Sequence, residues 1–442
     1  MNESRILTEA EARELADRVL ELSPADETEV GIGGGWTGNT RSAVNRITTA
    51  GEVENTSVSV SARFGRREAS VSTNRLDEES LRQAAEDAAA QAKLTPENPE
   101  LMPLLGPQSF SKSDGYFEST ANLDPAERGR VAADAIRVAT GRGDLTAAGF
   151  LTASAGASAI ANSAGLFAYH PSTSIDYELT VRTADGTGSG WAGVAHRDWS
   201  ELDIPAMHAQ AAYRALNSRE STSLEPGDYP VVFTASAVSD ILGLLAGSLD
   251  AREADEGRSA FSAAGDSGTK VGQKLLDDKF QLVSDPVGLG SSPYQDDGLP
   301  LERQVWFRDG VLERLAYDRY WAAKQGVKPT GFAGSLRMAG SDASLEDLVA
   351  GLDRGLFVTR LWYIRRIDPR TILYTGLTRD GVFWVENGEI VRPVHNFRWN
   401  DSPLTAFASI EALGRPERVS SSREVPPARL SSFHFSTVSE AV

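Results

Sequence analysis

Apolar and polar positions recur along this chain with two periods, and the switches between them divide it into elements. Thr8 and Glu11 have the spacing of a capping box, and Ala12, Leu15, Ala16, Val19 and Leu22 follow at the interval that gathers side chains on one helical face. Residues 56–64 change to period two. Val58, Val60, Ala62 and Phe64 fall on one side of an extended chain, and Ser57, Ser59, Ser61 and Arg63 on the other. A Gly65-Arg66 turn leads into Ala69, Val71 and Thr73, so the pattern predicts an antiparallel hairpin. Helical spacing returns with Leu81, Ala84, Ala85, Ala88 and Ala92, before Pro96, Pro99, Pro103 and Pro107 draw the chain out. Asp124 as cap, Pro125 in the first turn and Glu127 as reciprocal partner mark a third helix, with Val131, Ala132, Ala135 and Ile136 facing inward. Alternating runs between 145 and 198, such as Tyr177 to Val181, predict further strands, and a helix near 205–217 comes after them.

The turn Glu225-Pro226-Gly227-Asp228, just before Tyr229 to Phe233, places a domain boundary near 221–228 and divides the chain into domains 1–220 and 221–442. The second is strand-rich. Asp309-Gly310 and Asn387-Gly388 separate apolar runs and tolerate the positive φ angles of two-residue hairpin turns. The last twenty or so residues, with Ser420-Ser421-Ser422 and Pro426-Pro427, read as a loose tail. The expected fold class is α+β, with two domains of mainly antiparallel sheets and flanking helices.

Composition narrows the chemistry. The chain has 442 residues, 40% of them hydrophobic, enough for a sizeable core. Its 44 basic and 62 acidic side chains give a net charge of -18, which repels polyphosphate and opposes direct binding to nucleic acid. The absence of cysteine excludes disulfides, thiolate nucleophiles, iron–sulfur clusters and Cys-containing zinc sites. The polar start, Met1 to Arg5, lacks the apolar run of a secretory signal. The longest aliphatic stretch, Ile241 to Ala246, is far short of the roughly 20 residues a bilayer span needs. A cytoplasmic protein without a membrane segment is expected.

Several motifs compete for a role. Gly33, Gly35 and Gly38 satisfy a GxGxxG template, with Glu52 or Glu54 at about the distance of a ribose-binding acid. The next residues, Asn39-Thr40-Arg41-Ser42, lead into a strand-like segment at Ile47-Thr48-Thr49 and not a helix able to hold a pyrophosphate, so a glycine-rich turn is expected. Asp296 and Asp297 are adjacent and would point to opposite faces of a strand, which favours a turn or polar lip over an acid–base pair. Arg360, Arg365, Arg366 and Arg370, interleaved with Trp362 and Tyr363, read as a solvated strand face or a subunit contact. The histidines are His170, His196, His208, His395 and His434, the nearest pair 12 residues apart.

Five stretches of the second half, taken in order and spacing, carry a resemblance. They are Asp297-Gly298-Leu299-Pro300, the hairpin Arg308 to Leu312, the segment Asp318 to Gly331 ending Lys328-Pro329-Thr330-Gly331, Leu373-Tyr374-Thr375-Gly376, and Val385 to Ile390. In these the chain resembles the TldD/PmbA family, once described as modulators of DNA gyrase. The likeness covers most of 221–415 and reaches the first half through its helix, hairpin and helix order and Asn45-Arg46-Ile47.

The resemblance implies a specific chemistry and its loss. TldD-type members carry HExxxH on the helix after the first strand of this domain, two His binding zinc and the Glu acting as general base, and a cysteine near the carboxy terminus completes the site. Here the corresponding positions read Gly243, Leu244 and Ser248, none of which offers a competent ligand or base, and Ser248 has no nearby His or Lys to activate it as a nucleophile. The implied role is that of the TldE/PmbA-type subunit. It has no catalytic residue and no metal of its own, the zinc residing in a TldD-like, HExxxH-bearing partner with which it encloses a chamber for unfolded or short peptides. Asp297, within a matching stretch, is the candidate for lining that chamber. Two other readings remain open: a homodimeric peptide-binding or scaffolding module without a protease partner, and a divergent hydrolase using Asp297, His170 and His196.

Overall fold

The computed structural model describes residues 6–265 and 268–439; the polar start at Met1 to Arg5 and the end of the expected tail lie outside the described residues. In chain order the first half runs α1 (Glu9–Leu22), β1 (Glu27–Ala43), β2 (Arg46–Phe64), β3 (Arg67–Thr73), α2 (Glu78–Ala92), α3 (Glu118–Ala121), α4 (Pro125–Gly141), β4 (Leu145–Asn162), β5 (Phe167–Thr183), β6 (Ser189–His196) and α5 (Ile204–Asn217). The second half opens with β7 (Gly227–Phe233), α6 (Ala235–Ala246), α7 (Ala251–Asp255), β8 (Leu282–Ser284), β9 (Gln304–Arg308), β10 (Val311–Leu312), α8 (Arg319–Gln325), β11 (Leu336–Met338) and α9 (Leu345–Ala350). It continues through β12 (Arg354–Val358), β13 (Leu361–Asp368), β14 (Leu373–Thr378), β15 (Val382–Glu386), β16 (Glu389–Pro393), β17 (Asn396–Asp401), α10 (Pro403–Ala408), β18 (Ile410–Leu413), β19 (Glu417–Ser420), β20 (Arg423–Val425) and β21 (Ala428–Ser439). The fold is α+β with mostly antiparallel sheets, as expected.

Among the described residues the strands form three sheets. The first is wholly antiparallel, in the order β3-β2-β1-β4-β5-β6. Its local signals are satisfied as the sequence implies. The Thr8 side chain caps the Glu11 N–H at 3.3 Å while the Glu11 carboxylate accepts the Thr8 N–H at 2.7 Å. In α4 the Asp124 carboxylate accepts the Glu127 N–H at 2.7 Å, but the expected reciprocal bond is not made, because the Glu127 carboxylate turns to Arg130 one turn on. Val44 and Asn45 close the β1–β2 hairpin with positive φ. The Asn45 side chain then clamps it onto β4, donating to Leu145 O at 2.9 Å and accepting from Ala147 N at 2.7 Å.

One face of this sheet takes most of the large apolar side chains; Ile160 of β4 and Trp191 of β6 lie on the other. Val30, Ile32 and Trp36 of β1 and Val58 and Val60 of β2 are buried against α1, α2 and α4, and Ile175, Tyr177, Leu179 and Val181 of β5 against α4 and α5. The alternate positions Gly31, Gly33, Ser57, Ser59, Ser154, Ser158, Ser172 and Ser174 belong to the opposite, small and polar face.

The other two sheets build the second half. A nine-stranded sheet runs β13-β14-β17-β21-β7-β12-β15-β16, with β18 also paired to β21, and a smaller sheet runs β10-β9-β8-β11-β20-β19. Asp309-Gly310 and Asn387-Gly388 turn their hairpins as expected. The loose tail is overturned. Residues 417–425 are strands of the small sheet, and β21 lies between β17 and β7 at the centre of the large one. There Phe433 packs edge-on to Phe233 at 5.0 Å and against Trp399 at 5.5 Å. A register shift between Leu430 and Phe433 interrupts the apolar alternation that would have revealed the strand.

The glycine run is also corrected: Gly33 to Gly38 lie inside β1, in neither a turn nor a phosphate loop. A Cβ on Gly35, whose φ is +153°, would come within 2.0 Å of Ala155 O on β4, whereas one on Gly33 would meet nothing within 4 Å. We expect Gly35→Ala to cost about 1–3 kcal/mol through this backbone collision and Gly33→Ala to stay within about 0.5 kcal/mol of the parent. Thermal melts of the two variants that coincide would refute this account of the glycines.

Candidate functional site

Helix α6 follows β7 without a loop. Thr234 caps it, accepting the Ala237 N–H, and its hydroxyl donates to Thr359 O at 2.8 Å, fixing the helix to the end of β12. Val238, Ile241, Leu242 and Leu245 bury one face of α6 in the main core. Ser236, Asp240, Gly243 and Gly247 recur at helical spacing on the other. That stripe faces the small, polar side of the first sheet, and two hollows lie between them.

The hollow at the amino-terminal end of α6 has a volume of about 750 Å³ and is lined by Asp176, Glu178, Trp191, Ser236, Asp240, Arg360 and Glu417 among others. The hollow at the carboxy-terminal end measures about 1010 Å³ and is lined by Gly31, Gly33, Ser57, Ser59, Ser61 and Ser158 from the first sheet and by Gly243, Gly247, Asp296 and Arg423 from the second half. The serines face it because their neighbours Val58 and Val60 must face the helices.

Polar contacts hold the two halves around this crevice. Tyr294 Oη donates to Ser158 O at 2.8 Å. Arg197, almost fully buried, donates to Leu289 O at 3.0 Å and to Ser291 Oγ at 3.2 Å; burial first, and then the charge of Arg418, pulls its pKa down to about 10. Asp380, 2% exposed, accepts from Ser189 Oγ at 2.6 Å and from Arg360 at 3.2 Å. Arg360 also pairs with Glu178 at 3.7 Å and stacks its guanidinium 4.5 Å from the Trp191 ring. It is therefore not part of the solvated arginine face expected from sequence. Arg365, Arg366 and Arg370 are exposed on or beside the edge strand β13, whose register shifts between Trp362 and Arg365, where Tyr363 has a φ of +53°.

The remaining candidates are dispersed. Gly243 lines the larger hollow; Leu244 packs on the edge of the core; the Ser248 hydroxyl donates back to Leu244 O at 2.9 Å. Asp297 sits in a tight turn, accepting the Leu299 N–H at 3.1 Å and pairing with Arg319 at 3.5 Å, while its neighbour Asp296 lines the hollow. His170 and His196 occupy opposite faces of the first sheet, because Ile175, which faces the helices, pairs with His196, whereas His170 has the other parity on β5. Burial and, second, Arg197 push the His170 imidazole down to about 4. Among the described residues no group of three or more His, Cys, Asp or Glu side chains is arranged to hold a metal ion. Gly243, Leu244 and Ser248, on and just after α6, do not fit zinc either: a glycine and a leucine without side-chain donor atoms and a serine whose neutral hydroxyl is a poor zinc ligand. No described helix is long and apolar enough to cross a membrane.

Sequence reasoning missed Asp240 and Arg423. Asp240 was legible only as the charged member of a largely apolar helix. Burial raises its carboxyl to about 6, against the opposing pull of Arg360 and Arg423.

The chain matches known proteins along most of its length. Residues 226–437 match the PmbA/TldA metallopeptidase C-terminal domain, and residues 118–219 the PmbA/TldA metallopeptidase central domain. Metalloprotease PmbA of Escherichia coli O157:H7 is 26% identical over 425 residues, 88% of this chain and 89% of that protein. A zinc metalloprotease TldD homolog of Saccharolobus solfataricus is 23% identical over 238 residues, 50% of this chain and 51% of that one. TldE from Thermococcus kodakarensis has the same fold, with a TM-score of 0.85 at 17% identity, covering 96% of this chain and 99% of that one.

Asp240 sets a pH dependence. Its folded pKa lies above the ordinary value of 3.8, so the proton it retains stabilises the fold below about pH 4, and that contribution is lost as pH rises through about 6. We expect Asp240→Asn to raise the melting temperature at pH 7 and to match the parent near pH 4, the difference at neutral pH being on the order of 1–3 kcal/mol. Melting curves of variant and parent that stay parallel from pH 4 to 7 would contradict this.

Proposed function

Since the chain belongs to the PmbA/TldD family, we propose that it is a TldE/PmbA-type subunit of a heterodimeric zinc metallopeptidase. It shapes the chamber that receives unfolded or short peptides and leaves hydrolysis to a TldD-like, HExxxH-bearing partner. The observation that carries this reading is the helix after β7. The resemblance assigns the zinc ligands and base to its Gly243, Leu244 and Ser248; the first two have no side-chain donor atom, and a neutral serine hydroxyl is a poor zinc ligand and a poor general base. The crevice beside that helix supports the substrate half of the proposal. Its floor of serine hydroxyls is polar and small, and their oxygens keep lone pairs for backbone N–H groups, which suits an extended backbone of unspecified sequence.

The remaining parts of the proposal rest on the same reading. Zinc belongs to the partner, Asp297 is a chamber-lip residue beside Asp296, and the protein works in the cytoplasm without contacting nucleic acid, in keeping with its charge of -18. A division into domains 1–220 and 221–442 is supported by matches that stop at 219 and resume at 226.

The test is co-expression with the HExxxH-bearing relative from the same genome, followed by size-exclusion chromatography, metal analysis and a peptide hydrolysis assay. We expect a heterodimer with about one zinc, borne by the partner, peptide hydrolysis by the complex, and neither zinc nor hydrolysis in this chain alone. Stoichiometric zinc with activity in the lone chain would overturn the assignment in favour of a divergent hydrolase. A stable homodimer that ignores the relative would favour the scaffolding reading.

A further inference from the structure

We propose that the hollow at the carboxy-terminal end of α6 binds the terminal carboxylate of a peptide through the guanidinium of Arg423. This residue begins β20, where pairing with Leu336 of β11 and Ser420 of β19 fixes its backbone. Its Nη1 donates to Ser239 O at 3.2 Å, which anchors the side chain across α6. Nε and Nη2 have no protein acceptor among the described residues, and no carboxylate there forms an ion pair with the group. A guanidinium held by one bond with its other donors free is prepared for a planar anion, to which it can present two parallel N–H groups.

Gly243 makes this placement possible. A Cβ built on it would lie 2.8 Å from Nη1, 2.9 Å from Nη2 and 3.1 Å from Cζ of Arg423. The guanidinium therefore rests on the helix at the place where any side chain at position 243 would project. The substitution that removes a donor atom from α6 thus also admits a permanent positive charge at that point of the crevice.

The rest of the lining directs a ligand to that charge. Arg423 is the one cation among the described residues that line this hollow, and the other charged side chains there, Glu29 and Asp296, are acids. A polyanion would be repelled by the pair, whereas a chain with a single carboxylate has one favourable place for it. The volume of about 1010 Å³ exceeds the need of one amino acid, and the Ser57, Ser59 and Ser158 hydroxyls in the same lining have acceptor lone pairs for a backbone N–H.

The inference rests on the chamber reading only for the peptide class of the ligand. Its test is calorimetric titration of the full chain with acetyl-pentaalanine as the free acid and as the carboxy-terminal amide. We expect the acid to bind about tenfold or more tightly than the amide. Arg423→Gln should bring the acid to the level of the amide without changing amide binding or the melting curve, and Arg423→Lys should keep part of the preference. Equal binding of acid and amide, no binding of either at millimolar concentration, or a preference that survives in Arg423→Gln would overturn the proposal. If the acid preference holds but no active complex forms with the HExxxH-bearing relative, the chamber-subunit reading falls and the carboxylate site stands. If the complex is active but parent and Arg423→Gln bind the acid alike, the reverse is true.

Discussion

Helices cover the first sheet on one face only, and the architecture of the crevice derives from that constraint. Strand residues alternate between faces, so sending Val30, Ile32, Val58, Val60, Ile175 and Leu179 to the helices commits their neighbours to the other side. Those neighbours include Gly31, Gly33, Ser57, Ser59, Ser154 and Ser158 along β1, β2 and β4, and carboxylates farther along β5. A face with few large apolar side chains, Ile160 and Trp191 among them, gains little by packing tightly against another layer along its whole length. It remains a wall beside which the second half can stand at a distance, and the two hollows along α6 are the space left between them.

The halves must still be joined, and beside the apolar contact of Tyr294 with Ile160, Leu166 and Ala168 several joints are polar. Asp380 gathers Ser189, Arg360 and Arg379, and Arg197 reaches carbonyl and hydroxyl groups across the junction. Buried charges of this kind cost desolvation energy and return it only when their bonds are satisfied, so they fix a particular relative placement more than they add stability. The same junction leaves Asp240 between Arg360 and Arg423, close enough for both charges to act on it, while burial still raises its pKa. The electrostatics of the crevice is thus set by residues from both halves, and neither half would have it alone.

Helix α6 joins the fold to the proposed chemistry. Its apolar face anchors the main core, which requires a helix here whatever the site does. Its other face is free to vary, and the side chains it presents decide what the crevice can do. Toward the larger hollow, Gly243 and Gly247 give it no side-chain donor atoms, and Arg423 supplies a charge from another strand. A scaffold that keeps the helix and exchanges the groups upon it can retain the fold while changing its role from catalysis to holding a substrate.

Local geometry was legible in the sequence. The capping box at Thr8, the Asp124 cap, the period-two run of β2 with its serine side and the hairpins at Asp309-Gly310 and Asn387-Gly388 each depend on atoms a few residues apart, which the sequence states directly. So does the absence of ligand atoms at Gly243 and Leu244. What the sequence could not state depends on partners far along the chain. Glycines 33 to 38 resembled a turn, and only the close approach of β4 makes them strand residues; the final residues resembled a tail, and only β7 and β17 on either side make β21 a central strand. Arg360 looked solvated until Asp380 and Trp191 enclosed it. Arg423 and Ser239, 184 residues apart, meet only because β20 packs against α6, and that contact is what turns the gap left by a glycine into a charged site.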